Sequence, residues 1–519
     1  MLFLLLLILV NNFVTHPKER LPEVINEYQP AIFPIISPDG KKLYFNRKWH
    51  PENTGGIHDD DDVWISEKKQ NGDWGKPTRL ESNINTNSSN TFLYIFPNNR
   101  KALLYGNYKL TSKGKLENCF AFSINKDGIW QKPEPLVIDD FYNKSLNYSA
   151  TISTDGRVLI MSLEREDSFG SLDLYISFFD PGKNKYSKPQ NLGSIINTKG
   201  IDLVAFLAYD NKTLYFASNG RQSKGKLDLF MTRRLDDTWF NWSEPEPMDF
   251  INSEWDENSF YLNISGDTAF FCSGDATTSR EGIYIARLEE KFQPLPYLVL
   301  QGKIYTIVNN QKVLVDEPVI FNIDNFETDY VFNDTVCDGQ FTFVVPNNTQ
   351  YNFFVHSKNF ESYSFTTSSY KFPNTTFQNY DIILKPKEEH GLEEMSVSVA
   401  NHNHRSTVKD KKTLLGRLYF DNNVDTLNNN AKINLKEICM KLIQSSGKKI
   451  LVVGHTDEVG SIEYNLKLSY RRAKNTAKLI SDCTDMDPNF IIIEGKGKRE
   501  PISKEKALNR RVEIFILMQ

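Results

Sequence analysis

Short apolar runs, cut by turns at a regular interval, fill the first part of the chain. Strand-like segments stand at 63–66, 119–123, 174–177, 229–232 and 283–286, each rich in the aromatic and β-branched residues that suit a pleated, half-buried surface. A turn and a further strand precede them, as in Ser37-Pro38-Asp39-Gly40-Lys41-Lys42-Leu43-Tyr44-Phe45, with equivalent turns at Asp155-Gly156, Asp210-Asn211 and Gly266-Asp267. Behind the first four strands an aromatic residue stands three places before a proline, and Pro77, Pro133, Pro189 and Pro245 are spaced by 56 residues each time. A unit of three or four short strands cannot bury its apolar face alone, so the repeat predicts small sheets stacked radially, a β-propeller over 25–296. Five units predict five blades; a sixth, closed by poorly matching N-terminal residues, stays open.

The Ser-Pro-Asp-Gly-Lys turn and the Leu-Tyr-Phe strand after it resemble the TolB-type propeller repeat. The resemblance implies a broad face suited to docking another protein, although a fold alone assigns no function. From 297 to 387 the pattern changes to Leu300-Gln-Gly302-Lys-Ile304, Val319 to Ile323, Gly339-Gln-Phe341-Thr-Phe343 and Tyr351-Asn-Phe353-Phe-Val355. This alternation predicts a small antiparallel β-sandwich, and it resembles the carboxypeptidase regulatory-like domain. Residues 388–412, polar and without apolar periodicity, read as a linker.

The last hundred or so residues follow a different pattern, one of strands alternating with helices. Lys449 to Val453 is a buried-type run ending at Gly454, which puts Asp457 in the loop leaving a strand. Leu466, Tyr470, Ala473, Ala477 and Ile480 then recur at helical steps, and Leu435, Ile438 and Leu442 mark an earlier helix. Arg472 falls beside the first of these stripes, early in its helix, leaning toward the loop of Asp457.

The run Gly454-His455-Thr456-Asp457-Glu458-Val459-Gly460, then Asn465, Leu468-Ser469, Arg471-Arg472-Ala473 and Asn509-Arg510-Arg511-Val512-Glu513, resembles the OmpA-like peptidoglycan-binding domain of porin tails, peptidoglycan-associated lipoproteins and flagellar stator subunits, over 413–519. The resemblance implies that Asp457 and Arg472 hold the ammonium and carboxylate of meso-diaminopimelate in the peptide stem. Arg suits a carboxylate because its planar fork donates two parallel hydrogen bonds. Thr456, Asn465 and Asp421 match further polar positions of the same pocket. The bland alternative is that Asp457 and Arg472 merely pair with each other and that 509–513 is a polar-faced last strand. On the binding reading, Asp457→Ala and Arg472→Ala each remove binding and leave the fold intact.

With 519 residues the chain should divide into about three domains. The fold class is thus multidomain, a mainly β propeller and sandwich followed by an α/β domain. A net charge of -5, with Lys and Arg scattered, gives no case for nucleic acid. Residues 1–20 begin with the apolar Met1 to Val10, too short for a span of about 20 residues, and read as a secretory signal lacking a basic start and a small-x-small cleavage site. No cysteine nearby supports a lipid anchor. Cys119, Cys272, Cys337, Cys439 and Cys483 are isolated and read as buried small apolar residues, with no metal site implied.

The acidic run His58-Asp59-Asp60-Asp61-Asp62 reads as a solvated loop rather than a cation site. No nucleophile, metal-binding or phosphate-cradling motif occurs, so the expectation is a non-enzyme without cofactor or metal. The order of parts resembles periplasmic proteins that tether outer-membrane assemblies to the wall, including a subunit of type IX secretion. The reading is a scaffold in the periplasm, with peptidoglycan as one partner and an envelope protein on the propeller as the other. A wall-targeted enzyme with its site on the propeller, and a fused TolB/Pal-like envelope-integrity factor, are the alternatives.

Overall fold

A computed structural model describes residues 18–387 and 412–517, apart from short stretches at 29, 82, 111–115, 223, 275–280, 326–330, 347–349, 362, 369–373, 428, 444–448, 485 and 487–489. The signal reading of 1–17 and the linker reading of 388–411 lie outside these residues. The chain is mainly β and divides into two compact units, Met1–Gly391 and Leu392–Gln519.

Five antiparallel sheets follow one another in the first unit. The first is Ala31–Ile36, Lys42–Lys48, Asp61–Glu67 and Thr78–Arg79, and each later sheet repeats this up-and-down order. Each repeat proline opens a two-residue fourth strand, at Thr78–Arg79, Glu134–Pro135, Gln190–Asn191 and Glu246–Pro247. An edge position tolerates the missing N–H there. The aromatic partners Trp74, Trp130, Tyr186 and Trp242 are all buried.

There are four such prolines for five sheets because the fifth, Glu257–Leu262, Thr268–Ser273 and Gly282–Arg287, takes its fourth strand from Glu19–Arg20 at the other end of the unit. This corrects the placing of residues 18–20 in a signal segment. Lys18 donates to Glu257 Oε1 at 2.8 Å, and Asn26, wholly buried, bonds both Leu21 O and the N–H and C=O of Ile283. Asn26→Ala should therefore cost the first unit about 2–3 kcal/mol, since it leaves Ile283 N–H and Leu21 O unpaired while Ile283 O keeps the N–H of Leu21; thermal unfolding checks it.

The first strands of neighbouring sheets pack side by side, the fifth against the first, and all five line one cavity of about 20 Å³. Several of these strands carry bulges, with Phe33, Val204 and Ser259 at positive φ. In the second sheet the turn is formed by Asn98 and Asn99, Asn99 at φ 56°, so it carries no Gly that would mark it by sequence.

The acidic run is not a solvated loop. Asp59, Asp61 and Asp62 are buried, because the strand Asp61–Glu67 starts inside the run. Asp61 accepts from Asn46 Nδ2, and Asp62 accepts from the N–H and hydroxyl of Thr54. Burial pushes both carboxyls up to about 6.

Beyond the five sheets, two further sheets share one core formed by Leu298, Leu300, Phe321, Phe341, Phe343 and Phe353 among others. They are not wholly antiparallel: Thr376–Asn379 and Ile382–Leu384 run parallel to the long strand Tyr297–Val308. This layer is pinned to the five-sheet part by Asn98–Asp334 and Arg100–Asp338, and by Tyr297, whose hydroxyl donates to Ile264 O.

The second unit is β1 (Lys412–Tyr419), α1 (Asn429–Ile443), β2 (Ile450–Gly454), α2 (Ile462–Thr484), β3 (Ile491–Gly495), α3 (Lys506–Asn509) and β4 (Arg511–Leu517). The sheet order is β1-β4-β2-β3, with only the β2–β3 pair parallel. Its core residues all fall within 418–516 and include Leu435, Ile438 and Leu442 of the first helix stripe and Ala473, Ala477 and Ile480 of the second, whose Leu466 and Tyr470 are buried outside that cluster. Cys439 of α1 and Cys483 of α2 form a disulfide with Cα atoms 6.2 Å apart, and Cys337 is exposed. Three of the five cysteines thus depart from the buried, unbonded reading, which holds for Cys119 and Cys272. The cross-link closes a loop of 44 residues, and chain entropy puts its contribution at about 4 kcal/mol.

Candidate functional site

The helix α2 lies so close to the end of β2 that a Cβ at Gly454 would collide with the carbonyl of Ser469. The chain therefore leaves β2 without a side chain at that point, and His455, Thr456 and Asp457 turn along the start of α2. Asp457 Oδ1 accepts from Val459 N–H at 3.1 Å, and Asn465 Nδ2 holds Val459 O at 2.9 Å, so the loop is fixed from both sides. Thr456 is anchored through its N–H to Gly497 O.

A cavity of about 260 Å³ opens beside this loop. Thr456, Asp457, Asn465 and Arg472 line it, together with Arg510, and Val459, Tyr464 and Leu468 give it an apolar wall. Four of the five residues expected from the sequence are thus brought together. The fifth, Asp421, is different: its side chain is exposed and does not line the cavity, and its backbone carbonyl accepts from Arg472.

Arg472 is 0 % exposed. Its Nε donates to Val424 O at 2.8 Å, Nη1 to His455 O at 3.1 Å and Nη2 to Asp421 O at 2.9 Å, while its guanidinium lies over the Phe420 ring. It joins the loop after β1 to the loop after β2. Burial, followed by the nearby Arg510, pulls its pKa down to about 10, so it stays charged at neutral pH.

Asp457 and Arg472 do not pair with each other. The partner of Asp457 is Arg510, whose Nη1 stands 3.0 Å from Oδ2. Sequence reasoning named the 509–513 run but assigned Arg510 no role; the run itself was the signal. Behind the pocket, Glu513 accepts from Arg417 and Arg511, which outweighs the upward push of burial and holds its carboxyl low.

His455 is buried beside Glu513, and burial, reinforced by Arg511, pulls its pKa down. A folded-state pKa below the unfolded value means that protons favour the unfolded chain. Stability from this group is complete above about pH 6.5 and falls as the pH drops through the window below it. The melting temperature of the second unit should decline between pH 6.5 and 5, and His455→Gln should flatten that slope.

Comparison with known proteins places this geometry. Residues 419–514 match the OmpA family. The chain is 40% identical over 105 residues to outer membrane protein A of Bordetella avium, covering 19% of this chain and 53% of that protein. It is 33% identical over 105 residues to outer-membrane lipoprotein YfiB of Pseudomonas aeruginosa, covering 19% of this chain and 62% of the relative. A crystal structure of the peptidoglycan-associated lipoprotein from Burkholderia pseudomallei aligns at 26% identity with 20% of this chain and 89% of its own, with a TM-score of 0.18. The match over 419–514 gives the second unit an OmpA-family domain. The chain spans between half and two thirds of the length of the two relatives first named.

Proposed function

We propose that the protein anchors an envelope assembly to the cell wall, its OmpA-family domain binding the diaminopimelate centre of the peptidoglycan stem. The observation that carries this reading is the cavity itself. It sets one carboxylate, Asp457, and two guanidiniums, Arg472 and Arg510, against an aliphatic and aromatic wall. An end group bearing an ammonium and a carboxylate on a methylene chain complements all three features, and a volume of about 260 Å³ suits one amino-acid end rather than a large ligand. Asp457 would take the ammonium, with Thr456, Asn465 and Arg472 shaping the pocket.

The relatives, an outer membrane protein and an outer-membrane lipoprotein, support a location in the periplasm beside the outer membrane. The five sheets whose first strands meet around one small cavity, the last closed by Glu19–Arg20, support the reading of this part as a five-bladed TolB-type propeller. With its centre filled, it would act through its faces as a docking platform for an envelope protein rather than as an enzyme. The layer after it is the counterpart of the regulatory-like sandwich, and membership of a type IX secretion apparatus is one assembly this order of parts fits. Co-sedimentation of the full chain with purified sacculi tests the anchor: the folded protein should pellet with them, and a folded protein that stays in the supernatant would refute it.

A further inference from the structure

The loop before the third strand of the first sheet holds one carboxylate more than its counterparts. In the third sheet the strand Asp173–Asp180 opens on an aspartate that takes two consecutive loop amides, Phe169 N–H on Oδ2 at 2.6 Å and Gly170 N–H on Oδ1 at 3.1 Å. The fourth sheet repeats this, with Asp228 taking Lys224 N–H on Oδ2 and Gly225 N–H on Oδ1. In both, 4 residues separate the first donor from its aspartate. In the first sheet the separation is 8, and the pair of amides is divided. Thr54 N–H donates to Asp62 Oδ2 at 2.6 Å, whereas Gly55 N–H donates to Asp59 Oδ2 at 2.8 Å. The longer loop thus brings a second carboxylate to a pair of amides that elsewhere serves one.

Both acids are enclosed. Asp59 is 3 % and Asp62 0 % exposed, and Oδ1 of each is buried without a hydrogen-bond partner among the described residues. Buried polar atoms are ordinarily satisfied, and a buried charge needs a counter-charge. Arg79 Nη1 stands 3.9 Å from Asp62 Oδ2, the oxygen already occupied, and no cationic side chain lies within 4.0 Å of Asp59 among the described residues. Asp60, between the two, is exposed, and Asp61 accepts from Asn46 and Thr91 instead. Two unpaired carboxylate oxygens with an uncompensated charge are what a hard cation takes as ligands. We propose that Asp59 and Asp62 bind one divalent cation of the calcium class through their Oδ1 atoms, the ion closing the loop from Thr54 against its strand. Among the described residues no three acidic, His or Cys side chains could share an ion. Water and backbone oxygens would therefore complete the shell, and the affinity should be weak, a Kd of about 0.1–1 mM.

Titration of the full chain with Ca²⁺, after removal of metal by a chelator, tests the site. One saturable equivalent should bind, and the melting temperature of the first unit should rise by about 2 °C at roughly tenfold excess over Kd. Tb³⁺ should luminesce when tryptophan is excited, because Trp64 follows Asp62 closely and bonds Asn53 of the same loop at 3.0 Å, and Ca²⁺ should displace it. Asp59→Asn keeps an oxygen for Gly55 N–H and removes the surplus charge. It should therefore abolish the calcium and terbium responses while its metal-free melting temperature stays at or above that of wild type. Asp60→Asn, at an exposed position, should respond as wild type does. A wild type with no saturable calcium binding up to about 10 mM, tenfold above the weakest affinity expected, would overturn the proposal, and so would an Asp59→Asn protein that keeps the response.

Discussion

Arg472→Ala should lower the stability of the second unit by about 3 kcal/mol, a fall of roughly 10–20 °C in its melting temperature. The side chain is wholly buried and bonds the carbonyls of Asp421, Val424 and His455. Without it the buried His455 carbonyl loses a charged donor, whereas those of Asp421 and Val424, on an exposed loop, recover water. That partial rescue keeps the cost below what three orphaned carbonyls would impose. Ligand binding should be lost with the loop geometry, so this variant cannot separate fold from function, contrary to the expectation of an intact fold. Differential scanning calorimetry of the unit reads the effect directly, and an unchanged melting temperature would remove the loop-joining role.

Asp457→Ala should have the opposite balance. Its carboxylate bonds Arg510 and Val459 N–H, both at the cavity edge. Arg510, with its side chain 18 % exposed, can turn to solvent when the partner goes, so the cost in stability should be about 1 kcal/mol. Binding of a stem peptide should weaken by about thirtyfold or more, since the ligand ammonium would be desolvated without a partner, a loss of about 2–5 kcal/mol. Isothermal titration of the folded variant measures it. Near-wild-type affinity would mean that the ammonium is bound elsewhere.

Local features of the site were legible because short-range pattern determines them. The β2 run ending at Gly454 placed Asp457 on a loop, and the stripe from Leu466 to Ile480 is buried as its spacing demands. What the sequence could not disclose were partners chosen by tertiary approach. Arg472 lies on the expected helix, though midway along Ile462–Thr484 rather than early in it, and its three carbonyl partners lie 17 to 51 residues away on other loops. Arg510 sits where helix gives way to strand, and the direction of its side chain depends on how β4 pairs with β1 and β2.

The disulfide was hidden for the same reason. Cys439 and Cys483 are 44 residues apart with no motif between them, and only the packing of α1 on α2 brings them together. In the first unit the proline spacing marked each fourth strand, yet the missing fifth proline meant something only once Glu19–Arg20 was found pairing with Tyr284 and Ile285. The acidic run misled because composition alone says nothing about where a strand begins. Burial starts at Asp61 because the strand does, and Asp59 is enclosed by the loop that it caps through Gly55 N–H.

The most direct measurement is an amide-resolved NMR titration of residues 412–519, whose core is self-contained, with a stem peptide ending in meso-diaminopimelate. Binding in the pocket should give saturable shifts confined to the cavity, at Asn422, Thr456, Asp457, Gly460, Asn465 and Arg510. Shifts scattered over the surface, or centred on a different face of the unit, would contradict it.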